Sequence, residues 1–361
     1  MTDESSFARC AVGSSRLNAA SGDRSGLSRS GRRPRSHAID ALRGAAIVTM
    51  FAANLAGPCL APPHPMWLRV YGSFAAPTFV LLAGMMTSMS SRPAPLQRLL
   101  KRSALLLLLA AVIDLLCWGI DPFETFDVLY LLGFALPIAG LCLRLELWVH
   151  FALGAAIVIA TPWLHRAIGY GPLLPDKLAY PWPAWRRLLV DGWFPMFPWL
   201  GLALLGGVAG RLDPLADKRR SWLTPIGCAL VALGAIGWWA APPEIVTRKG
   251  YSELFYPPSP QYLAIALGSV LLMLALFDKL ERRFSLSWLV VLGRSSLLLY
   301  VIHVALIAFV LDEWFQGQTL PAFLALYAVM ALSLWSLAWA TERWRRWTRA
   351  WRERVATAER A

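Results

Sequence analysis

The sequence predicts an all-α, polytopic membrane protein of about ten transmembrane helices, with both termini in the cytoplasm. Three observations lead there. The 361 residues are 57% hydrophobic and 16% charged, with a mean hydropathy of +0.50. The apolar residues come in blocks of about 17–24, long enough for a helix to cross a hydrocarbon core, without the alternation of a membrane barrel. Finally, the net charge of +13 sits in the tails and in alternate connections. That placement orients a membrane protein and argues against a nucleic-acid-binding face.

In chain order, residues 1–38 are rich in Ser, Arg and Gly and have no signal-peptide core. They are expected to form a disordered, basic cytoplasmic tail. Ten spans follow, at roughly 44–61, 72–90, 103–120, 125–143, 146–164, 194–210, 222–241, 260–278, 288–311 and 320–340. With the N-terminus inside, the cytoplasmic connections hold Arg92, Arg98, Lys101 and Arg102, then Arg144, Arg211, Lys218 to Arg220, Lys279, Arg282 and Arg283. The longer outer connections hold only Arg69, Arg166, Lys177, Arg186, Arg187, Arg248 and Lys249. This is the positive-inside pattern. The outer loops near 165–193 and 242–259 are rich in Pro, Trp and Tyr, as in Tyr180-Pro181-Trp182, and read either as an interfacial belt or as a sugar-stacking lid. Residues 341–361 set Trp344, Trp347 and Trp351 among arginines and read as a basic amphipathic helix on the anionic inner leaflet. The five cysteines show no CxxC or Cys/His spacing, so no metal site is expected.

An ionisable or amide group inside a span is costly, so each one calls for an explanation. The topology brings Asn54, His64, Asp114, Asp127 and His303 to a similar depth near the outer face, with Phe194-Pro195-Met196-Phe197-Pro198-Trp199 beside them. On the inner side it places Asp40 with Arg43, Arg92, Arg98, Lys101, Arg102 and Arg294, the basic residues being donors suited to phosphate. Each group also has a plainer role open to it. Asn54 and His303 can serve as hydrogen-bonding glue between helices, and Arg43 and Arg294 as interfacial anchors.

The segment Ile39-Asp40-Ala41-Leu42-Arg43-Gly44 opening the first span resembles the signature of transmembrane acyltransferases, specifically bacterial relatives of heparan-alpha-glucosaminide N-acetyltransferase. Phe74-Ala75-Ala76-Pro77-Thr78-Phe79, Asp127 to Gly133, Phe197 to Gly201 and Leu292-Gly293-Arg294-Ser295-Ser296-Leu297 through His303 strengthen the likeness, which covers about residues 36–340. The resemblance implies residues 39–340 as an acyltransferase domain, with His64 catalytic and Asn54 assisting. It also implies acetyl-CoA supplied from the cytoplasm and an acceptor on the outer side. Where the family often has Asn, this chain has Ser295.

Acyl transfer from a thioester to an amine or hydroxyl needs a group that takes the acceptor's proton or carries the acyl group. It also needs a donor for the developing oxyanion. His64 fits the first role and Asn54 the second, while Asp114 or Asp127 can orient an imidazole and His303 completes the set. Arg43, Arg98 and Arg294, with Ser295 beside the last, are expected to hold the phosphates of CoA. The expectation is therefore a multi-pass enzyme of the bacterial inner membrane that acetylates an envelope carbohydrate and uses no metal or nucleic acid. Its alternatives are a transporter or flippase of a polar envelope precursor, or a non-catalytic relative. Monomer and homodimer both remain open.

Overall fold

The structure is a computed structural model that describes residues 36–89, 96–169, 183–243, 254 and 258–358. Residues 1–35, and with them nearly all of the expected N-terminal tail, lie outside these, as do Tyr180 to Trp182 and most of the second aromatic loop. Among the described residues the regular structure is helical: α1 (His37–Cys59), α2 (Met66–Ser73), α3 (Ala75–Ser88), α4 (Leu96–Ile113), α5 (Val128–Cys142), α6 (Leu147–Ile168) and α7 (Ala184–Arg186) come first. They are followed by α8 (Met196–Leu212), α9 (Asp217–Ala240), α10 (Pro260–Glu281), α11 (Ser287–Arg294), α12 (Ser296–Leu306), α13 (Asp312–Trp314) and α14 (Leu320–Ala358). Helix α4 widens into a π turn at Asp114–Trp118, and further π turns occupy Arg187–Asp191 and Ile307–Leu311.

All ten stretches read as spans are helical. Among the described residues, seven helices are long and apolar enough to cross a membrane, and eight if the bent pair Ala184–Asp191 and Met196–Leu212, angled at 55°, counts as one crossing. The other two fall short for different reasons. The α4 stretch carries Arg98, Lys101 and Arg102 near one end and Asp114 near the other. Helix α5 has only 15 residues, about 22 Å of rise. Several helices also begin earlier or end later than their apolar cores. The polar ends, such as Asp40 and Arg43 in α1, continue the helix while adding nothing to its hydropathy. Helix α14 runs unbroken for 39 residues, about 58 Å, well beyond a core of about 30 Å.

Local chemistry starts several of these helices. Asp127 caps α5 by accepting the Val128 N–H, and Ser259 caps α10 ahead of Pro260. The internal prolines Pro58, Pro137, Pro162 and Pro225 are of a kind that spanning helices tolerate.

Helix α1 is the axis of the bundle. Of its apolar window 78% is buried inside the protein, against 17% for α6, α9 and α14, which present most of their surface outward. Without a hydrophobic drive between helices in lipid, close backbone approach has to supply the packing. Small residues provide it here. A Cβ on Gly84 would strike the Ala203 carbonyl and one on Gly206 the Leu81 carbonyl, so α3 and α8 meet backbone to backbone. Gly227 and Gly268 do the same for α9 and α10.

Candidate functional site

The site is built on α1. One turn of helix puts Asp40 beside Arg43, and the Asp40 carboxylate, 1% exposed, pairs with Arg43 Nη1 at 3.6 Å and with Arg294 Nε at 3.2 Å. Arg294 continues to Glu342 at 3.6 Å. The buried carboxylate therefore sits between two cations, as a charge at this depth must. Gly44 and Gly293 let α1 and α11 touch, since a Cβ on Gly293 would collide with the Asp40 carbonyl and one on Gly44 with that of Leu289. This approach brings Ser296 to Arg43, whose Nη2 donates to Ser296 Oγ at 2.5 Å.

Eleven residues further along α1, about 16 Å by helical rise, Asn54 Nδ2 lies 2.9 Å from His303 Nε2. His303 is fully buried, and its Nδ1 lies 3.0 Å from the Leu299 carbonyl. A carbonyl only accepts, so the proton is on Nδ1, and Nε2 accepts from the Asn54 amide. Phe51 and Tyr300 pack on the ring, with centroids at 5.1 and 5.4 Å. Three residues before His303, the Tyr300 hydroxyl donates to Asp127 Oδ2, while Asp127 Oδ1 accepts from Val128 N at 2.6 Å.

Asp114 stands apart from this group. Its two oxygens accept from Thr125 Oγ1 at 2.7 Å and the Tyr130 hydroxyl at 2.8 Å, and that hydroxyl accepts from Phe123 N at 2.9 Å. Phe123 and Phe126 have positive φ values of 71° and 44°, and the network holds this tight loop so that Asp127 reaches Tyr300. From the other side, Trp193 N and Phe194 N donate to the Thr125 and Phe126 carbonyls at 2.9 and 2.8 Å. Arg187, read from sequence as a loop cation, is buried and reaches Glu124 at 2.8 Å. Asp114→Ala leaves two buried hydroxyls without their acceptor. It is expected to cost about 1–3 kcal/mol, read as a lower unfolding temperature of the detergent-solubilised protein, with Tyr130→Phe losing less.

A cavity of about 640 Å³ joins the two ends of the site. Arg43, Met86, Arg102 and Ser296 line one end; Asn54, Asp127, Phe194 and Tyr300 line the other. Between them the wall is apolar, formed by Ile47, Phe79, Ala83, Leu106, Leu132 and Leu136 among others.

Of the residues singled out from sequence, Asn54, Asp127 and Arg43 line this cavity, and His303 stands directly behind Asn54. Asp114, Arg98, Arg294 and Ser295 do not line it. Arg98 is exposed, with Arg102 one turn on taking the place at the wall, and Ser295 faces Thr341 while Ser296 faces Arg43. His64 is half-buried in the turn between α1 and α2, outside the cavity wall but at the Asn54 end of α1. Its Nε2 lies 3.2 Å from the Leu60 carbonyl, which places the proton on Nε2. Nδ1, the basic nitrogen, has no hydrogen-bond partner among the described residues. The turn itself is fastened by Ala61 N to the Gln318 carbonyl at 3.0 Å and Gln318 N to the Cys59 carbonyl at 2.7 Å.

Sequence reasoning missed the Thr125–Tyr130 clasp, and it placed Arg102 on the inner basic side, Phe194 beside the outer polar group and Ser296 in the segment before His303 without giving any of the three its own role at the site. Among the described residues no three His, Cys, Asp or Glu side chains converge as metal ligands.

No curated protein matches the chain. Residues 35–240 match the family described as heparan-alpha-glucosaminide N-acetyltransferase, catalytic, a stretch from α1 through α9 that includes Arg43, Asn54, His64 and Asp127. The chain, a multi-pass membrane protein by its helices, belongs to the heparan-alpha-glucosaminide N-acetyltransferase catalytic family.

Proposed function

We propose that this protein takes an acetyl group from acetyl-CoA on the cytoplasmic side and delivers it to an amine or hydroxyl of an envelope sugar on the outer side. In this reading it sits in a bacterial inner membrane, crosses it ten times and keeps both termini inside. The observation that carries the proposal is the cavity, with guanidinium groups at one end and the Asn54–His303 pair about 16 Å away at the other. Arg43 and Arg102 receive the phosphates of CoA. The thioester arm lies along the apolar wall, and its carbonyl reaches the Asn54 end.

There the acceptor nitrogen or oxygen bonds to the acetyl carbon, His64 Nδ1 takes the acceptor's proton, and the carbon–sulfur bond breaks to release the CoA thiolate. The thiolate then takes that proton. In the covalent variant His64 Nδ1 bonds to the acetyl carbon first, CoA leaves, and the acceptor displaces the imidazole. A donor N–H of the Asn54 amide, oriented by His303, steadies the oxyanion in either route.

The test is CoA release by protein in nanodiscs given radiolabelled acetyl-CoA and a panel of amino sugars and sugars. Acceptor-dependent release is expected, and Arg43→Gln should raise the donor KM about tenfold while changing kcat less, the cost of one charge-assisted hydrogen bond. Absence of both acetyl-CoA binding and turnover in the wild type would sink the proposal in favour of a transporter.

A further inference from the structure

We infer that, when no acyl donor is bound, an anionic phospholipid occupies the same cavity from the side. Its phosphate lies at Arg43 and Arg102, and one acyl chain lies along Ile47, Phe79, Ala83, Leu132 and Leu136. The inference rests on the membrane-embedded reading of the chain, and only its competition arm rests on the proposed donor site.

Three features of the cavity lead to this ligand. First, its middle carries no polar side chain, so an alkyl chain loses nothing by lying there, whereas a polar ligand must give up hydrogen bonds. Its volume of about 640 Å³ falls within the usual range of about 300–1,000 Å³ for ligand pockets. An apolar space of that size that opens to lipid does not remain empty, because its walls lack contact partners.

Second, the cavity is open at its flank. Three of its wall residues on three different helices are also exposed: Leu105 of α4 is 50% exposed, and Met86 of α3 and Leu297 of α12 are each 37% exposed. In a bilayer that opening meets acyl chains rather than water.

Third, the charge at the opening suits a phosphate. Arg43 and Arg102 each lie six residues inside their helix, about 9 Å from its start, where a spanning helix passes the lipid headgroups. Arg98 and Lys101, exposed on the same end of α4, add to the positive field. A head of one charge and a tail of one chain thus match the two parts of the wall in the order they occur.

The experiment uses phosphatidylglycerol with a diazirine in one acyl chain, incorporated into phosphatidylcholine nanodiscs holding the full chain, with labelled peptides mapped by mass spectrometry. The expected labels fall on the cavity segments Phe79–Met86 and Leu129–Leu136. They should drop several-fold with Arg102→Gln, with the same probe on a choline headgroup, and with excess acetyl-CoA. Ala83→Phe, which fills the middle of the cavity, should remove them as well. Arg102 is exposed, so replacing it leaves the packed interior of the bundle undisturbed. Labels confined to outward-facing residues such as Leu108, Leu116 and Trp148 would overturn the inference. So would equal labelling by both headgroups, or full loss of label in millimolar inorganic phosphate, which would mean a site for phosphate alone. Labelling needs no turnover, so failure here leaves acetyl transfer standing, and an inactive enzyme that still labels leaves the lipid site standing.

Discussion

His64→Ala is expected to lower kcat by about 100- to 10,000-fold, the usual contribution of a positioned acid–base group, with the donor KM little changed. The reason lies in the turn after α1. The Nε2 proton of His64 is directed to the Leu60 carbonyl, which leaves Nδ1 as the nitrogen able to take a proton or an acetyl group. The turn is held by two backbone hydrogen bonds to Gln318, so truncating the side chain does not release it. Acetyl-CoA should still bind, because Arg43 and Arg102 lie at the opposite end of the cavity.

Two further readouts separate the chemical routes. Added imidazole should restore part of the lost activity if His64 acts as a base. Acid-labile label on the wild-type protein, absent from the variant, would identify an acyl-histidine. If His64→Ala turns over at more than about a tenth of the wild-type rate, the imidazole at His303 behind Asn54 becomes the better assignment.

The second large effect is on folding. Gly293→Val should prevent accumulation of folded protein or destabilise it by more than about 3 kcal/mol, above the usual range for overpacking. Most overpacked sites yield because a side chain swings aside. Here the atom in the way is the Asp40 main-chain carbonyl of α1, and Gly44 faces the Leu289 carbonyl in return. Separating α1 from α11 also draws Arg294 from Asp40 and Ser296 from Arg43, so the packing fault reaches the cavity mouth.

Gly237→Ala in α9 is the control. Its new methyl would lie 3.1 Å from Gln261 Cγ, part of a flexible side chain, and should cost little. Fluorescence-detected size exclusion over a temperature series would rank the two. A Gly293→Val protein as stable as Gly237→Ala would mean that the α1–α11 contact is not the clamp described above.

The membrane class, the helical stretches and their order were legible from residue type alone, because a bilayer requires long apolar helices and their length shows directly in the sequence. The grouping of polar residues by depth was legible for the same reason: topology turns position along the chain into height. Depth, however, carries no angular information. Asn54 and Asp114 were expected at a similar depth, yet one lines the cavity while the other turns to Thr125 and Tyr130.

Which of two neighbours faces inward was decided only by the packing of the helices. Ser296 rather than Ser295 meets Arg43 because the Gly44–Gly293 contact sets the rotation of α11 and α12 against α1. Arg102 rather than Arg98 reaches the cavity wall because one helical turn separates them, and the wall curves around Leu105 and Leu106. The partner of Asn54 lies 249 residues away in sequence. Such a pairing is set by backbone-to-backbone helix contacts, whose geometry depends on small residues whose positions are visible in the sequence but whose partners are not.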